Sequence, residues 1–281
     1  MSTLVPTLFA GLVDDASLLP PSFISLADAY AKHAEHRTAW YAGLLGPLLV
    51  PASSVGAAVP AQDLPVALIG DVAVSAVPVA VDKLRACGAA VFHLEAAVAR
   101  RGEDPQPGLA ALRTLAGGDK DLQVYAEIPL SWGLLAALDA VAEARGEGLR
   151  IAPKFRVGGL AAELFPTPVE LAAVICACRD RELPFRLASG LRHAIRHTDP
   201  ETGFTHHGFL NVLAASLMAI EGGEVAEVAE ALAATHPLPL VEPARSRRDE
   251  RRPLFVGFGA ANVVEPLTEL VRLGLINGGY E

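Results

Sequence analysis

Lys154 stands in the segment Arg150-Ile151-Ala152-Pro153-Lys154-Phe155-Arg156-Val157-Gly158-Gly159. Lysine is scarce in this chain: of 23 basic residues only Lys32, Lys83, Lys120 and Lys154 are lysines. The run around Lys154 is mostly apolar and reads as a buried strand. Arg156 shares its face, because side chains alternate along a strand. Burial and a neighbouring guanidinium both disfavour an ammonium, so a depressed pKa is expected for Lys154. That would make it a nucleophile or a base near neutral pH.

Parity groups other charged residues with it. His93 and Glu95 alternate with Phe92 and Leu94, Arg186 lies between Phe185 and Leu187, and Glu127 closes another apolar run. With these faces turned inward, Lys154, Arg156 and Arg186 are opposed by Glu95 and Glu127. Inward charge is costly unless compensated, so the surplus positive charge points to a small anionic metabolite. Arg156 and Arg186 would hold its carboxylate or phosphate, while Glu95 or Glu127 moves a proton with His93 or His193 close by. A lysine that forms an iminium supplies an electron sink for making or breaking a C–C bond, which places the expected reaction among the lyases and needs no cofactor. Ser189-Gly190 and Gly257-Phe258-Gly259 could present backbone N–H groups to the same anion. Asp14, Asp15, His207 and Asn211 complete the candidate substrate-binding set.

Two other readings use the same residues. Asp71, Glu95 and Glu127 stand at the ends of successive strands and could bind Mg²⁺ while Lys154 abstracts a proton from an enolising substrate. A wall of this kind could also bind an anion without catalysis, as a sensor or a partner subunit. A histidine-only metal site is disfavoured, because His193, His197, His206 and His207 contain a single i, i+4 pair, on a loop, and no such pair on a helix.

The elements that must position these residues alternate. Strands are expected at Leu8–Val13, Leu48–Ala52, Val66–Gly70, Val91–Glu95, Gln123–Ile128, Ile151–Val157, Phe185–Ser189 and Leu254–Phe258. Helical periodicity covers Leu26–Tyr41, Val74–Ala86, Leu109–Leu115, Trp132–Ala144, Pro168–Arg181, Phe209–Ile220 with Val225–Ala234, and Glu265–Leu273. The gap Ser53–Pro65 has room for a short helix only. Thr167-Pro168 with Glu170 reads as a helix start. Eight strands alternating with helices predict an α/β fold, a single (β/α)8 TIM-type barrel over residues 1–281, with its active site at the C-terminal ends of the strands.

The chain of 281 residues is 52% hydrophobic, with a net charge of −9, so a nucleic-acid partner is not expected. The basic cluster Arg245–Arg252 is broken by Asp249 and Glu250 and reads as a solvated loop. Cys87, Cys176 and Cys178 read as free buried thiols of a cytoplasmic protein. The N-terminus lacks a basic n-region and no long apolar run lacks breakers, so neither export nor membrane insertion is expected. Helices poor in charge leave room for a homo-oligomer.

The strings Lys154-Phe-Arg-Val-Gly-Gly, Leu164-Phe-Pro, Ser189-Gly-Leu-Arg-His and His207-Gly-Phe-Leu-Asn resemble a pattern in a family of uncharacterised bacterial proteins, with Asp14-Asp15 as a further match. That family has Lys at the place of Arg186, His at the place of Arg192, and a stretch with Ser and Cys where this chain reads Phe258 to Asn262. The resemblance implies a shared site and no particular reaction. A lysine on the sixth strand is also similar, by position alone, to the Schiff-base lysine of class I aldolases.

Overall fold

The computed structural model describes residues 4–20, 22 and 24–278. Its strands are β1 (Val13–Asp15), β2 (Leu45–Pro51), β3 (Pro65–Ile69), β4 (Ala90–Ala97), β5 (Gln123–Glu127), β6 (Ile151–Arg156), β7 (Phe185–Ala188), β8 (His197–Thr198), β9 (Thr205–His206) and β10 (Phe255–Ala260). The helices are α1 (Leu26–Thr38), α2 (Val77–Ala86), α3 (Gln106–Gly118), α4 (Leu134–Gly146), α5 (Pro168–Asp180), α6 (Phe209–Ile220), α7 (Val225–Ala233), α8 (Leu238–Ser246) and α9 (Val264–Arg272). Eight strands pair in parallel in the closed order β1-β10-β7-β6-β5-β4-β3-β2, while β8 and β9 form a separate antiparallel pair. The fold is a (β/α)8 barrel.

Apolar residues on the outward faces of the strands meet the helices. Leu68, Leu94, Val124, Phe155, Phe185 and Phe258 are all buried there. Local chemistry starts the helices where expected. Ser25 caps α1 by accepting from the Asp28 N–H, and Thr167 and Glu170 form a reciprocal capping box ahead of Pro168 in α5. After β2 only a 3₁₀ turn, Ala52–Ser54, takes the place of a helix.

The first strand departs from expectation. Leu8 and Phe9 belong to a 3₁₀ turn, and the strand begins at Val13 and includes both aspartates. Leu8 and Phe9 are fully buried, so the apolar run signals core packing, which periodicity over so few residues cannot distinguish from a strand. The basic cluster is a largely exposed turn from Arg247 to Arg251, as expected of a solvated loop, but its ends are structural. Arg245 lies in α8, and Arg252 donates to the carbonyls of Leu8, Ala10, Phe255 and Val256, tying the entry of β1 to β10. Cys176 and Cys178 are free and buried, but Cys87 is exposed at the end of α2. Among the described residues, no helix is long and apolar enough to cross a membrane.

Candidate functional site

The barrel interior is divided by chemistry. On the side of β2 and β3 it is apolar, with Leu49 and Ala67 packed with Ala16, Leu19 and Ile69. On the other side, β1, β4, β5, β6 and β7 turn Asp14, His93, Glu95, Tyr125, Glu127, Lys154 and Arg186 inward. The ladders set Glu127 against Lys154 and Lys154 against Arg186. Two glycines make the space: a Cβ on Gly46 would overlap the Asp14 carboxylate, and one on Gly257 would lie 3.0 Å from Arg186 Nη2.

The Lys154 ammonium lies 2.8 Å from Glu95 Oε2 and 2.8 Å from Glu127 Oε2. Glu127 passes its other oxygen to Arg156, at 3.1 Å from Nε and 3.0 Å from Nη2. Arg156 also donates to Ser189 Oγ at 3.1 Å. Deeper in the barrel Arg186 pairs with Asp14, and its Nε approaches Glu95 Oε1 at 3.3 Å without hydrogen-bond alignment. His93 Nε2 lies 3.3 Å from the same Glu95 oxygen, and the ring packs edge-on against Tyr125. The Arg186 guanidinium stands over the Tyr125 ring, 5.2 Å from its centroid.

These pairs decide the charge states. Burial alone would lower the Lys154 pKa, but Glu95 and Glu127 together outweigh it and hold the group above its usual value. The expected depression is therefore not found. It rested on Arg156 as the neighbour, and Arg156 spends its charge on Glu127. Burial pushes Glu95 and Glu127 up, yet both lie below the usual carboxylate range: Lys154, His93 and Arg186 stabilise ionised Glu95, and Lys154 and Arg156 stabilise ionised Glu127. For Asp14 burial prevails over Arg186 and His93, and its pKa is raised. Asp14 Oδ1 and His93 Nε2 are buried without a hydrogen-bond partner.

The predicted surplus of positive charge is absent. Asp14 joins Glu95 and Glu127, so three carboxylates face Lys154, Arg156 and Arg186. Asp15 points the other way, to the Ser17 N–H and, at 3.1 Å, to His33 Nδ1 of α1. It is a structural anchor between barrel and helix.

Several other candidates have structural partners. Ser189 and Gly190 both have positive φ, 60° and 78°, and Gly158 packs so closely on Gly190 that a Cβ would come within 2.7 Å of its Cα. That turn aims Ser189 at Arg156, and it serves loop packing where an anion cradle was expected. Gly257 makes room for Arg186, and Gly259 lies against Leu49 and Ala16. His193 bonds Glu269 of α9 at 2.6 Å and packs on His197, away from the Lys154 network. His207 is held between the Pro166 carbonyl at 2.8 Å and Arg196 Nη1 at 3.3 Å. Burial pushes its pKa down to about 4. Asn211 donates to the Ala231 and Ala234 carbonyls and accepts from the Arg196 N–H, each at 2.8 Å. The His-Gly-Phe-Leu-Asn string thus secures the segment that joins β7 to α6 and α7.

Asp71 accepts from the N–H and hydroxyl of Ser53 and does not share a ligand set with Glu95 and Glu127. The expected Mg²⁺ arrangement is not formed. Among the described residues, the ligand atoms that come together, all within 4.8 Å of one another, are those of Asp14, His93 and Glu95. Arg186 already contacts both of those carboxylates, so a divalent ion there would have to displace a guanidinium.

Glu127 and Arg156 also border a cavity of about 1000 Å³ beneath the loops that follow β4, β5 and β6. Lys154 is not in its wall and reaches it through the Glu127 carboxylate. The cavity and the part of Tyr125 in the network had no signature in the sequence, since both depend on loops and strands far apart in the chain.

No protein-family model and no curated protein matches the chain. Among solved structures it is similar to lysine/ornithine decarboxylase complexed with cadaverine from Vibrio vulnificus, at 12% identity and a TM-score of 0.32, over 84% of this chain and 68% of that one.

Proposed function

We propose that the chain is an enzyme, lyase-like, for a carbonyl compound that carries a carboxylate or phosphate, and that Lys154, Glu127 and Arg156 form its reacting edge. The observation that carries this reading is the Lys154 ammonium held 2.8 Å from each of two carboxylates at the C-terminal end of the barrel.

A raised pKa disfavours the free amine but suits the product of condensation. An ammonium and a carbonyl give an iminium and water, so one positive charge stands on the nitrogen before and after. Glu95 and Glu127 would stabilise that iminium as they stabilise the ammonium. Glu127 first takes a proton from Lys154, the amine attacks the carbonyl carbon and passes a second proton to its oxygen, and the proton returned by Glu127 releases that hydroxyl as water while the C=N bond forms. Arg156, on the open side of Glu127, would bind the anionic group of the substrate, charge-assisted and in a fork geometry.

Borohydride added with a panel of 2-oxo acids and phosphorylated ketones tests this by mass spectrometry. An adduct on Lys154 that is absent from Lys154→Arg, together with loss of turnover in that variant, is the expected result. Turnover retained by Lys154→Arg would remove both the covalent and the proton-abstraction roles. A second reading, a non-catalytic binding barrel, is favoured by the complete pairing of the three cations. It predicts no adduct with any carbonyl.

A further inference from the structure

The cavity beside Glu127 and Arg156 is built for more than a small acid. At about 1000 Å³ it stands at the upper end of ordinary ligand pockets, and most of its exposed wall is apolar. Leu134 of α4, Val174 of α5, and Leu164 and Phe165 of the β6–α5 loop form its far side. At its mouth, Leu160 and Leu135 are 99% and 58% exposed, and Trp132, next to the lining residue Ser131, is 74% exposed. Large apolar side chains left in water around one opening mark a binding surface.

Charged groups interrupt this wall, with the arginines gathered on the side of β4 and β6 and two glutamates across from them. Arg156 lies beside Glu127 at the barrel end, and Arg100 and Arg101 border the same space. Among the described residues, the Arg100 guanidinium has no hydrogen-bond or ion-pair partner, and Arg101 donates only to the Leu130 carbonyl. Glu163 and Glu170 also line the cavity and would repel a highly charged ligand such as a nucleotide.

We infer that this cavity binds an amphipathic monoanion, a carboxylate with an aliphatic or aromatic body. Its head lies at Arg156, and its body lies along Leu134, Leu164 and Phe165. The inference rests on the proposed function only in treating such a molecule as the substrate; binding itself is separate.

Calorimetric titration of the full chain with butanoate, hexanoate, octanoate and 1-octanol tests it. A fully buried methylene tightens binding about fourfold. Octanoate is therefore expected to bind at least about tenfold more tightly than butanoate, allowing for incomplete burial. 1-Octanol is expected to bind more weakly than octanoate. Leu135→Glu should flatten the dependence on chain length, and Arg156→Gln should weaken all three acids alike. Leu135 is exposed, so Leu135→Glu should melt close to the parent; Arg156→Gln takes one partner from Glu127 and should melt lower but still cooperatively, which will show that both variants fold. Affinity that ignores chain length, or octanoate binding unchanged in both variants, would overturn the inference. Octanoate binding as described, with no 2-oxo acid processed at Lys154, would overturn the proposed reaction and leave this site standing. Turnover of short 2-oxo acids with no gain from length would do the reverse.

Discussion

Gly46 and Asp14 face each other across the β1–β2 ladder so closely that a single methyl group on Gly46 would overlap the Asp14 carboxylate. The interior charge network therefore depends on a missing side chain on a neighbouring strand. Gly46→Ala should destabilise the fold by about 1–3 kcal/mol, the usual cost of overfilling a packed interior. In an Asp14→Ala background the added methyl should cost less. Urea denaturation of the four proteins in this cycle checks it, and additive effects would show that the two residues do not interact.

Removing the ammonium should leave two carboxylates without their shared partner. Lys154→Met is expected to lose about 3–5 kcal/mol near neutral pH, as when one member of a buried ion pair is deleted. The pH dependence gives a sharper check. In the parent, Glu95 and Glu127 titrate below 4.5, their unfolded value, so their stabilisation is full above it and is lost as pH falls. Lys154 titrates above 10.5, so its contribution is full below that value and is lost only as pH rises through the folded pKa. The contribution of Glu95, Glu127 and Lys154 should thus be flat between about pH 5 and 10, whereas Asp14, whose folded pKa is raised above 3.8, contributes a decline as pH rises through that folded pKa in both proteins. In Lys154→Met one carboxyl should hold a proton more tightly when folded, and stability should increase from pH 8 to pH 5. Parallel curves for the two proteins would contradict the assigned pairing.

Glu127 is the proton carrier in the proposed reaction and the link from Lys154 to the cavity. Glu127→Gln keeps the size and a hydrogen-bond acceptor but removes the base. Steady-state kinetics on the substrate found by trapping should show kcat lowered about 10²–10⁴-fold, the range for a general acid–base residue. A change confined to KM would mean that Glu127 only positions the substrate.

His207 is expected to act on stability alone. Its pKa is about 4 in the folded chain, against 6.5 as the unperturbed value. The unfolded chain therefore binds more protons between those values. Stabilisation is full above about pH 6.5 and decreases as pH falls towards 4, by on the order of 3 kcal/mol in total. His207→Gln should remove that slope. Thermal melts from pH 7 to pH 4.5 decide it, and a slope shared by variant and parent would assign it to other groups.

Asn211 belongs to the same structural unit. Asn211→Ala strips partners from the Ala231 and Ala234 carbonyls and the Arg196 N–H, and should cost about 2–4 kcal/mol through unsatisfied buried groups. Calorimetric unfolding measures it. A loss of octanoate affinity with no loss of stability would instead return this residue to the ligand site.

Much of this protein follows from local chemistry. Alternating apolar runs and helix starts such as Thr167-Pro168-Val-Glu170 specify strands and helices, and their succession calls for a parallel α/β sheet, a barrel first and an open doubly wound sheet second; the pairing of β1 with β10 decides for closure. Strand parity likewise puts Glu95, Glu127, Lys154 and Arg186 on one inner wall, because a period of two is a property of the chain itself. What parity cannot supply is register between strands distant in sequence. Whether Asp14 or Asp15 faces inward depends on where β1 begins, which core packing at Leu8 and Phe9 decides. That choice gave Arg186 a carboxylate and turned a wall expected to carry surplus positive charge into a balanced one, while the approach of Glu95 and Glu127 to Lys154 raised a pKa that was expected to fall. His207 and Asn211 read alike in sequence whether they touch a ligand or a carbonyl. Only the tertiary structure, which brings Pro166, Ala231 and Ala234 to them, assigns these side chains to the scaffold, since a polar group takes its role from the partner that burial gives it.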